Sequence, residues 1–121
     1  MSTTVLTIDD SKTMRDLLMA ALVDAGFRVL QAEDGVFGLE VLQAEVVDVI
    51  ITDINMPRMD GFGVVENVRS DGRHRSTPIL VLTTECDDAK KDRARKAGAT
   101  GWIVKPFHPD KLVDAIRRVT A

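Results

Sequence analysis

Five short runs of β-branched and aliphatic residues, each followed by a longer amphipathic stretch, constrain this chain more than any other feature. The runs are Val5 to Ile8, Phe27 to Gln31, Val46 to Ile51, Ile79 to Leu82 and Trp102 to Val104. Strand-length runs alternating with helix-length ones read as an α/β domain, and the intervening helices are the crossovers that a parallel sheet requires. The third run is almost continuously apolar, which fits a central strand covered on both faces. Between the first two runs, Met14, Leu17, Leu18, Ala21, Leu22 and Ala25 recur at helical spacing before Gly26, a left-handed stop. A second helix is expected over Val36 to Glu45, entered through Asp34 and Gly35. The third presents Gly61, Val64, Val65 and Val68 on one face, and the polar stretch Ser70 to Thr77 is its return loop. The fourth is capped by Asp87 or Asp88 and closed by Arg95, Lys96 and Gly98. Its apolar stripe is only Ala89, Ala94 and Ala97. So little buried area predicts a lightly packed helix that shifts cheaply. The last helix turns Leu112, Ala115, Ile116 and Val119 inward.

Composition narrows the function classes. With 121 residues, 45% hydrophobic and a net charge of -3, the chain is expected to form one domain, residues 1–121, with a real core. An acidic balance argues against a nucleic-acid partner. No run approaches the ~20 apolar residues that span a bilayer, and Met1 to Asp10 lacks signal-peptide character. A cytoplasmic protein with no membrane partner is expected. The one cysteine, Cys86, makes no internal disulfide and no multi-thiolate metal site, and is read as incidental. Any metal here is held mainly by oxygen.

In a doubly wound sheet, ligands bind beyond the carboxyl ends of the strands. With strand order 2-1-3-4-5, Asp9 and Asp10, Asp53, Thr83 and Lys105 converge there. Each has an ordinary alternative: Asp10 and Ser11 as caps of the first helix, Asp53 as a turn residue, Thr83 as a partner for a loop amide. Together they are harder to dismiss, because three clustered carboxylates repel one another unless a cation joins them. Hard oxygen ligands without His or Cys suit Mg²⁺. A carboxylate beside Mg²⁺ and an ammonium can attack a phosphoryl group in line, with Thr83 donating a hydrogen bond to an equatorial oxygen. Asp53, at the end of the central strand, is the natural nucleophile. No G-x-x-x-x-G-K-[ST] loop and no spare length for a substrate pocket accompany these residues.

Ile8-Asp9-Asp10-Ser11, Thr52-Asp53-Ile54-Asn55-Met56-Pro57 with Asp60-Gly61, Leu82-Thr83-Thr84 and Val104-Lys105-Pro106-Phe107 stand in order, each at a strand end. In these motifs, over essentially its whole length, the chain resembles the receiver domain of two-component response regulators, most of all single-domain chemotaxis regulators of the CheY type. The resemblance implies a flavodoxin-like five-stranded parallel sheet with five helices. It also implies that Asp53 accepts a phosphoryl group from a histidine kinase. Asp10, Asp53 and the backbone carbonyl of Asn55 would ligate Mg²⁺, Asp9 assisting. Lys105 would contact the phosphoryl group, Thr83 would move to bond it, and Lys105-Pro106 would be a cis peptide. Such proteins commonly carry Tyr or Phe as a switch aromatic where this chain has Trp102, whose alternative role is simple packing on the fourth helix. Asn55, Thr84 and Glu85 are rate-tuning positions by the same comparison.

Output is expected to pass through another protein, since only Thr120 and Ala121 are expected to follow the fifth helix. The expected partner surface is the fourth helix, fifth strand and fifth helix, where Lys90, Lys91, Arg93, Arg95, Lys111, Arg117 and Arg118 surround Trp102. Basic helix residues are ordinarily a solvated face, but their concentration in an acidic chain favours an acidic peptide. The implied partners are a histidine kinase and a flagellar motor-switch or other output protein, with a phosphatase left open and a monomer expected. Two further readings stand beside the motor one: a phosphate sink or relay shuttle without motor output, and a small Mg²⁺-dependent phosphatase.

Overall fold

The apolar runs become strands and the amphipathic stretches become the helices between them. The computed structural model describes residues 2–121. In chain order the elements are β1 (Thr4–Ile8), α1 (Lys12–Asp24), β2 (Arg28–Ala32), α2 (Gly35–Ala44), β3 (Val49–Thr52), α3 (Gly61–Ser70), β4 (Ile79–Thr83), α4 (Asp88–Ala97), β5 (Gly101–Val104) and α5 (Pro109–Thr120). The strands form one parallel sheet in the order β2-β1-β3-β4-β5. This is the flavodoxin-like arrangement, with the carboxyl ends of β1, β3, β4 and β5 along one rim.

Alternation of side chains along each strand divides the interior into two layers. Val5, Val49, Ile51, Leu80 and Leu82 face Leu18 and Leu22 of α1 and Leu112, Val113 and Ile116 of α5. Leu6, Ile8, Ile50 and Ile79 face Leu42 of α2 and Val64, Val65 and Val68 of α3. A smaller group, Ile54, Phe62, Val81 and Ala94, lies under α4, with Trp102 packed against it. Among the described residues, no helix is long and apolar enough to cross a membrane.

The structure corrects the sequence-based expectations at three places. β3 starts at Val49 rather than Val46: Val46 is 65% exposed, Val47 is buried against the α2 layer, and Asp48 ties the strand entry to Thr4 by hydrogen bonds of 2.7 and 2.8 Å. Leu17 is 53% exposed although it falls within the apolar stripe of α1. Only the arc centred on Leu18 and Leu22 meets the sheet and α5, and Leu17 sits about 100° around the helix from Leu18. On α4, Ala94 alone is fully buried, Ala97 is half-buried and Ala89 is exposed, so the helix rests on a narrower strip than its three alanines imply. Its N-cap is Asp87, whose carboxylate accepts the Ala89 N–H at 2.8 Å.

Candidate functional site

Each acid at the rim is placed by the strand that precedes it. The Asp9 N–H donates to the Ala32 carbonyl at 3.1 Å and the Asp53 N–H to the Ile8 carbonyl at 3.0 Å, so both residues extend the sheet by one more bond. The Lys105 N–H does the same toward the Thr83 carbonyl at 2.8 Å, and the Lys105–Pro106 bond that follows is cis. Behind Asp53 the chain doubles back. Gly61 opens α3 so close that a Cβ there would stand 2.2 Å from the Asp53 carbonyl oxygen. Only glycine fits at that point, and its N–H donates to the Ile54 carbonyl at 2.9 Å.

The rim is therefore crowded and mostly dry. Asp9 is 2% exposed, Asp53 8% and Thr83 0%. The Lys105 ammonium lies 2.8 Å from Asp9 Oδ2 and 2.8 Å from Asp53 Oδ2, bridging two carboxylates that would otherwise face each other. Their other oxygens are held as well: Asp53 Oδ1 accepts the Ile54 N–H at 2.6 Å, and Asp9 Oδ1 accepts the Ser11 N–H at 2.9 Å. Burial pulls the Lys105 ammonium toward deprotonation, but the hydrogen bonds and charges of Asp53 and Asp9 outweigh it and raise its pKa. Lys105 is a fixed cation at neutral pH.

Asp10 is exposed, yet one of its carboxylate oxygens joins those of Asp9 and Asp53 within 4.8 Å. Ser11, not Asp10, caps α1, its hydroxyl accepting the Met14 N–H at 3.2 Å. One ammonium against three carboxylates leaves an excess of negative charge that a divalent cation would neutralise. The donors are all hard oxygens on short side chains, which fits Mg²⁺ in size and chemistry.

A second tier surrounds this cluster and centres on Glu85. Its N–H donates to Thr83 Oγ1 at 3.3 Å, and its carbonyl accepts the Trp102 indole N–H at 3.1 Å. Its carboxylate accepts Asn55 Nδ2 at 3.1 Å and pairs with the Lys90 ammonium at 3.0 Å. The Asn55 hydrogen bond first, then Lys90, hold the Glu85 carboxyl below its ordinary pKa. Thr84 is exposed beside it. Sequence reasoning singled out Glu85 and Trp102 separately; that one residue ties Thr83, Asn55, Lys90 and Trp102 together depends on how the β4–α4 loop folds back, and no local pattern carries it.

The structure divides the basic set assigned to the partner surface. Lys91 and Arg95, together with Asp88 and Asp92, line a groove of about 340 Å³ with Trp102, Ala94 and Gly101, between α4 and β5. Lys111 lines a neighbouring hollow with Ile103, Val104 and Phe107. Arg118, one heptad after Lys111, shares its side of α5. Arg93 instead stacks on Phe62 of α3, 3.9 Å from the ring centroid. Arg117 turns toward α1, over Phe27 and beside Ala21 and Asp24, because it lies about 120° around α5 from Lys111. Arg93 and Arg117 are thus removed from the groove around Trp102.

Residues 5–117 match the profile of the response regulator receiver domain. Chemotaxis protein CheY1 of Helicobacter pylori is 44% identical over 117 residues, covering 95% of this chain and 94% of that protein. Among solved structures, Vibrio cholerae chemotaxis protein CheY4 superposes with a TM-score of 0.94 at 44% identity, covering 98% of this chain and 99% of the other. The receiver domain of a Pseudomonas aeruginosa sensor histidine kinase shares the fold at 23% identity with a TM-score of 0.92, over 99% of this chain and 98% of its own; that structure has a magnesium ion coordinated in its active-site cleft. A match over nearly the whole chain, with the acids, the threonine and the lysine on the same rim, leaves one conclusion: this chain belongs to the response regulator receiver domain family.

Proposed function

We propose that the chain is a phosphorylation-switched chemotaxis regulator in which Asp53 accepts a phosphoryl group from a histidine kinase. The observation that carries this reading is the Lys105 ammonium at 2.8 Å from both Asp9 and Asp53, with Asp10 completing a three-carboxylate cluster. Asp10, Asp53 and the Asn55 backbone carbonyl are the groups to hold Mg²⁺, with Asp9 assisting. When bound, the ion supplies charge neutralisation at the phosphoryl oxygens. Asp53 forms an O–P bond as the donor's P–N bond, or the P–O bond of a small acyl phosphate, breaks, and the electron pair leaves with the donor. Lys105, already protonated, stabilises the negative charge on the transferred group without needing to move a proton.

The switch runs through Glu85. Thr83 Oγ1 accepts the Glu85 N–H, so turning its hydroxyl toward a phosphoryl oxygen on Asp53 disturbs the loop that also holds the Trp102 indole and the Lys90 ammonium. Phosphorylation favours whichever packing gives the better Thr83 contact, and the α4–β5 groove changes with it. That groove sets Lys91 and Arg95 against Asp88 and Asp92 around Trp102, and suits a peptide with an apolar anchor. The chemotaxis proteins at 44% identity support a role in chemotaxis, and in this reading the peptide comes from a motor-switch protein.

The test is acetyl phosphate with and without Mg²⁺, followed by intact mass and by the fluorescence of Trp102, the sole tryptophan. Wild type is expected to gain one phosphoryl mass only with Mg²⁺, with a fluorescence change, and Asp53→Asn is expected to gain none. No mass gain with any small donor or kinase would sink the reading. Phosphorylated protein that binds no motor-switch peptide but exchanges rapidly with a kinase would instead make it a phosphate sink.

A further inference from the structure

The loop between β3 and α3 carries Asp53 at one end, the α3 cap Asp60 at the other, and Asn55 between them. Its ends are fixed by backbone bonds: Asp53 to Ile8, and Gly61 to Ile54 at 2.9 Å. Its middle carries one local backbone bond, from the Met59 N–H to the Pro57 carbonyl at 2.7 Å, and a weak contact of Met59 Sδ with Asn67. The stronger side-chain ties are one on each flank. Toward the β4–α4 loop, Asn55 Nδ2 donates to Glu85. On the opposite flank, Arg58 Nε donates to Asp34 Oδ2 at 2.8 Å and Arg58 Nη2 to Asp34 Oδ1 at 2.9 Å. Paired parallel bonds of this kind fix direction as well as distance, which a lysine cannot do.

The anchor for this fork is firm. Asp34 caps α2, its Oδ1 also accepting the Phe37 N–H at 2.9 Å, and its side chain is only 7% exposed. The loop presses on the same helix end, since a Cβ at Gly35 would stand 2.8 Å from the Met59 carbonyl oxygen. Arg58 itself is the only non-glycine residue among those described with a positive φ, at 66°. An L side chain rarely adopts that region, and such backbone persists where its surroundings over-determine it. Here the fork, the Met59 contact and the Met59 N–H bond to the Pro57 carbonyl across Arg58 do so. The left-handed turn at Arg58 and the grip on Asp34 act together: the turn aims the guanidinium at α2, and the guanidinium ties the turn, closed locally by the Met59 N–H on the Pro57 carbonyl, to a neighbouring element.

We infer that Arg58 is a positioning residue for the Mg²⁺ site, acting through Asp34 to set where the Asn55 backbone carbonyl stands relative to Asp10 and Asp53. This rests on the reading of the acidic cluster as a Mg²⁺-dependent phosphoacceptor site. A ligand carbonyl on a loop tied at both flanks is held before the ion arrives; cutting one tie leaves the carbonyl to be ordered at the expense of binding. The consequence falls on metal affinity. Once the ion is bound, the loop is in place again and phosphoryl transfer proceeds as before. A residue that merely stabilised the fold would change the unfolding midpoint and leave Mg²⁺ affinity alone.

The experiment titrates MgCl₂ into the full chain by calorimetry and measures initial acetyl phosphate uptake as a function of Mg²⁺. Arg58→Gly keeps the left-handed turn free of strain while deleting the fork. It is expected to weaken Mg²⁺ binding about tenfold, the lower range for losing an outer partner of a metal site. The rate at saturating Mg²⁺ should stay close to that of wild type. Arg58→Lys, which keeps the charge but not the fork, should fall between. Asp34→Asn still caps α2 and offers a second route should Arg58→Gly fold poorly; it should weaken Mg²⁺ binding in the same direction, and the double variant should be no worse than Arg58→Gly, because both cut one tie. Unchanged Mg²⁺ affinity in folded Arg58→Gly and Asp34→Asn would overturn the inference. So would an equal loss of rate at saturating Mg²⁺. A wild type that binds no Mg²⁺ and takes up no phosphoryl group would overturn the phosphoacceptor reading beneath it.

Discussion

Asp34 meets two demands with one carboxylate, capping α2 and receiving Arg58. The Arg58 hydrogen bonds first, then the Phe37 N–H, hold its carboxyl below the ordinary value. A group depressed in this way contributes stability that is present above the unfolded pKa, about 3.9, and is lost as pH falls through it toward the folded value. Asp34→Asn is therefore expected to be less stable than wild type at neutral pH and to show a shallower loss as pH falls below about 4, read from urea midpoints. An acid limb as steep as in wild type would show that Asp34 carries no such linkage. At this scale the site residues were legible because β1, β3, β4 and β5 each pass abruptly from aliphatic residues to Asp, Thr or Lys. The Arg58–Asp34 fork was not, since its partners stand 24 residues apart with nothing local to pair them.

Among the elements, α4 is held least by its core. Its one fully buried residue is Ala94, whereas α5 buries Leu112, Val113 and Ile116. Much of what organises α4 is electrostatic and exposed: Asp92 pairs with Arg95 and, at 2.8 Å, with Lys96, and such solvent-screened pairs hold a helix only weakly. Hydrogen exchange should therefore find the α4 amides opening well before those of α5 or α1, and protection in α4 equal to α5 would contradict the expectation that this helix shifts cheaply. The thin alanine stripe made this helix's lightness visible in the sequence. The return loop after α3 was less transparent. It reads as polar, yet His74 within it is fully buried, and the Arg69 guanidinium gathers the carbonyls of His74, Arg75 and Thr77 at 3.3, 3.0 and 2.7 Å. A basic side chain serving as an internal hydrogen-bond donor leaves no trace in hydropathy.

For the whole molecule, the sheet separates two apolar layers that do not share side chains. Ile116 belongs to the layer with α1 and α5, and Ile50 to the layer with α2 and α3. Ile116→Val and Ile50→Val should each destabilise by about 0.5 to 1.5 kcal/mol, and together by their sum within about 0.5 kcal/mol. A larger departure from additivity in urea unfolding would mean that the layers are coupled through β3. The site depends on both layers, because the carboxyl ends of β1, β3, β4 and β5 share a rim only while the sheet keeps its order.

The sequence alone determined the alternation of strands and helices, the central place of β3, and which residues stand at the strand ends, because these follow from periodicity and from sharp changes of residue type over a few positions. Tertiary structure decided what those residues do to one another. That Lys105 lies between Asp9 and Asp53, that Glu85 gathers Thr83, Asn55, Lys90 and Trp102, and that Arg117 faces α1 instead of the groove are matters of distance across the fold. Hydrogen bonds and ion pairs act over about 3 Å and depend on direction, so they are set only when packing has brought remote loops to that separation.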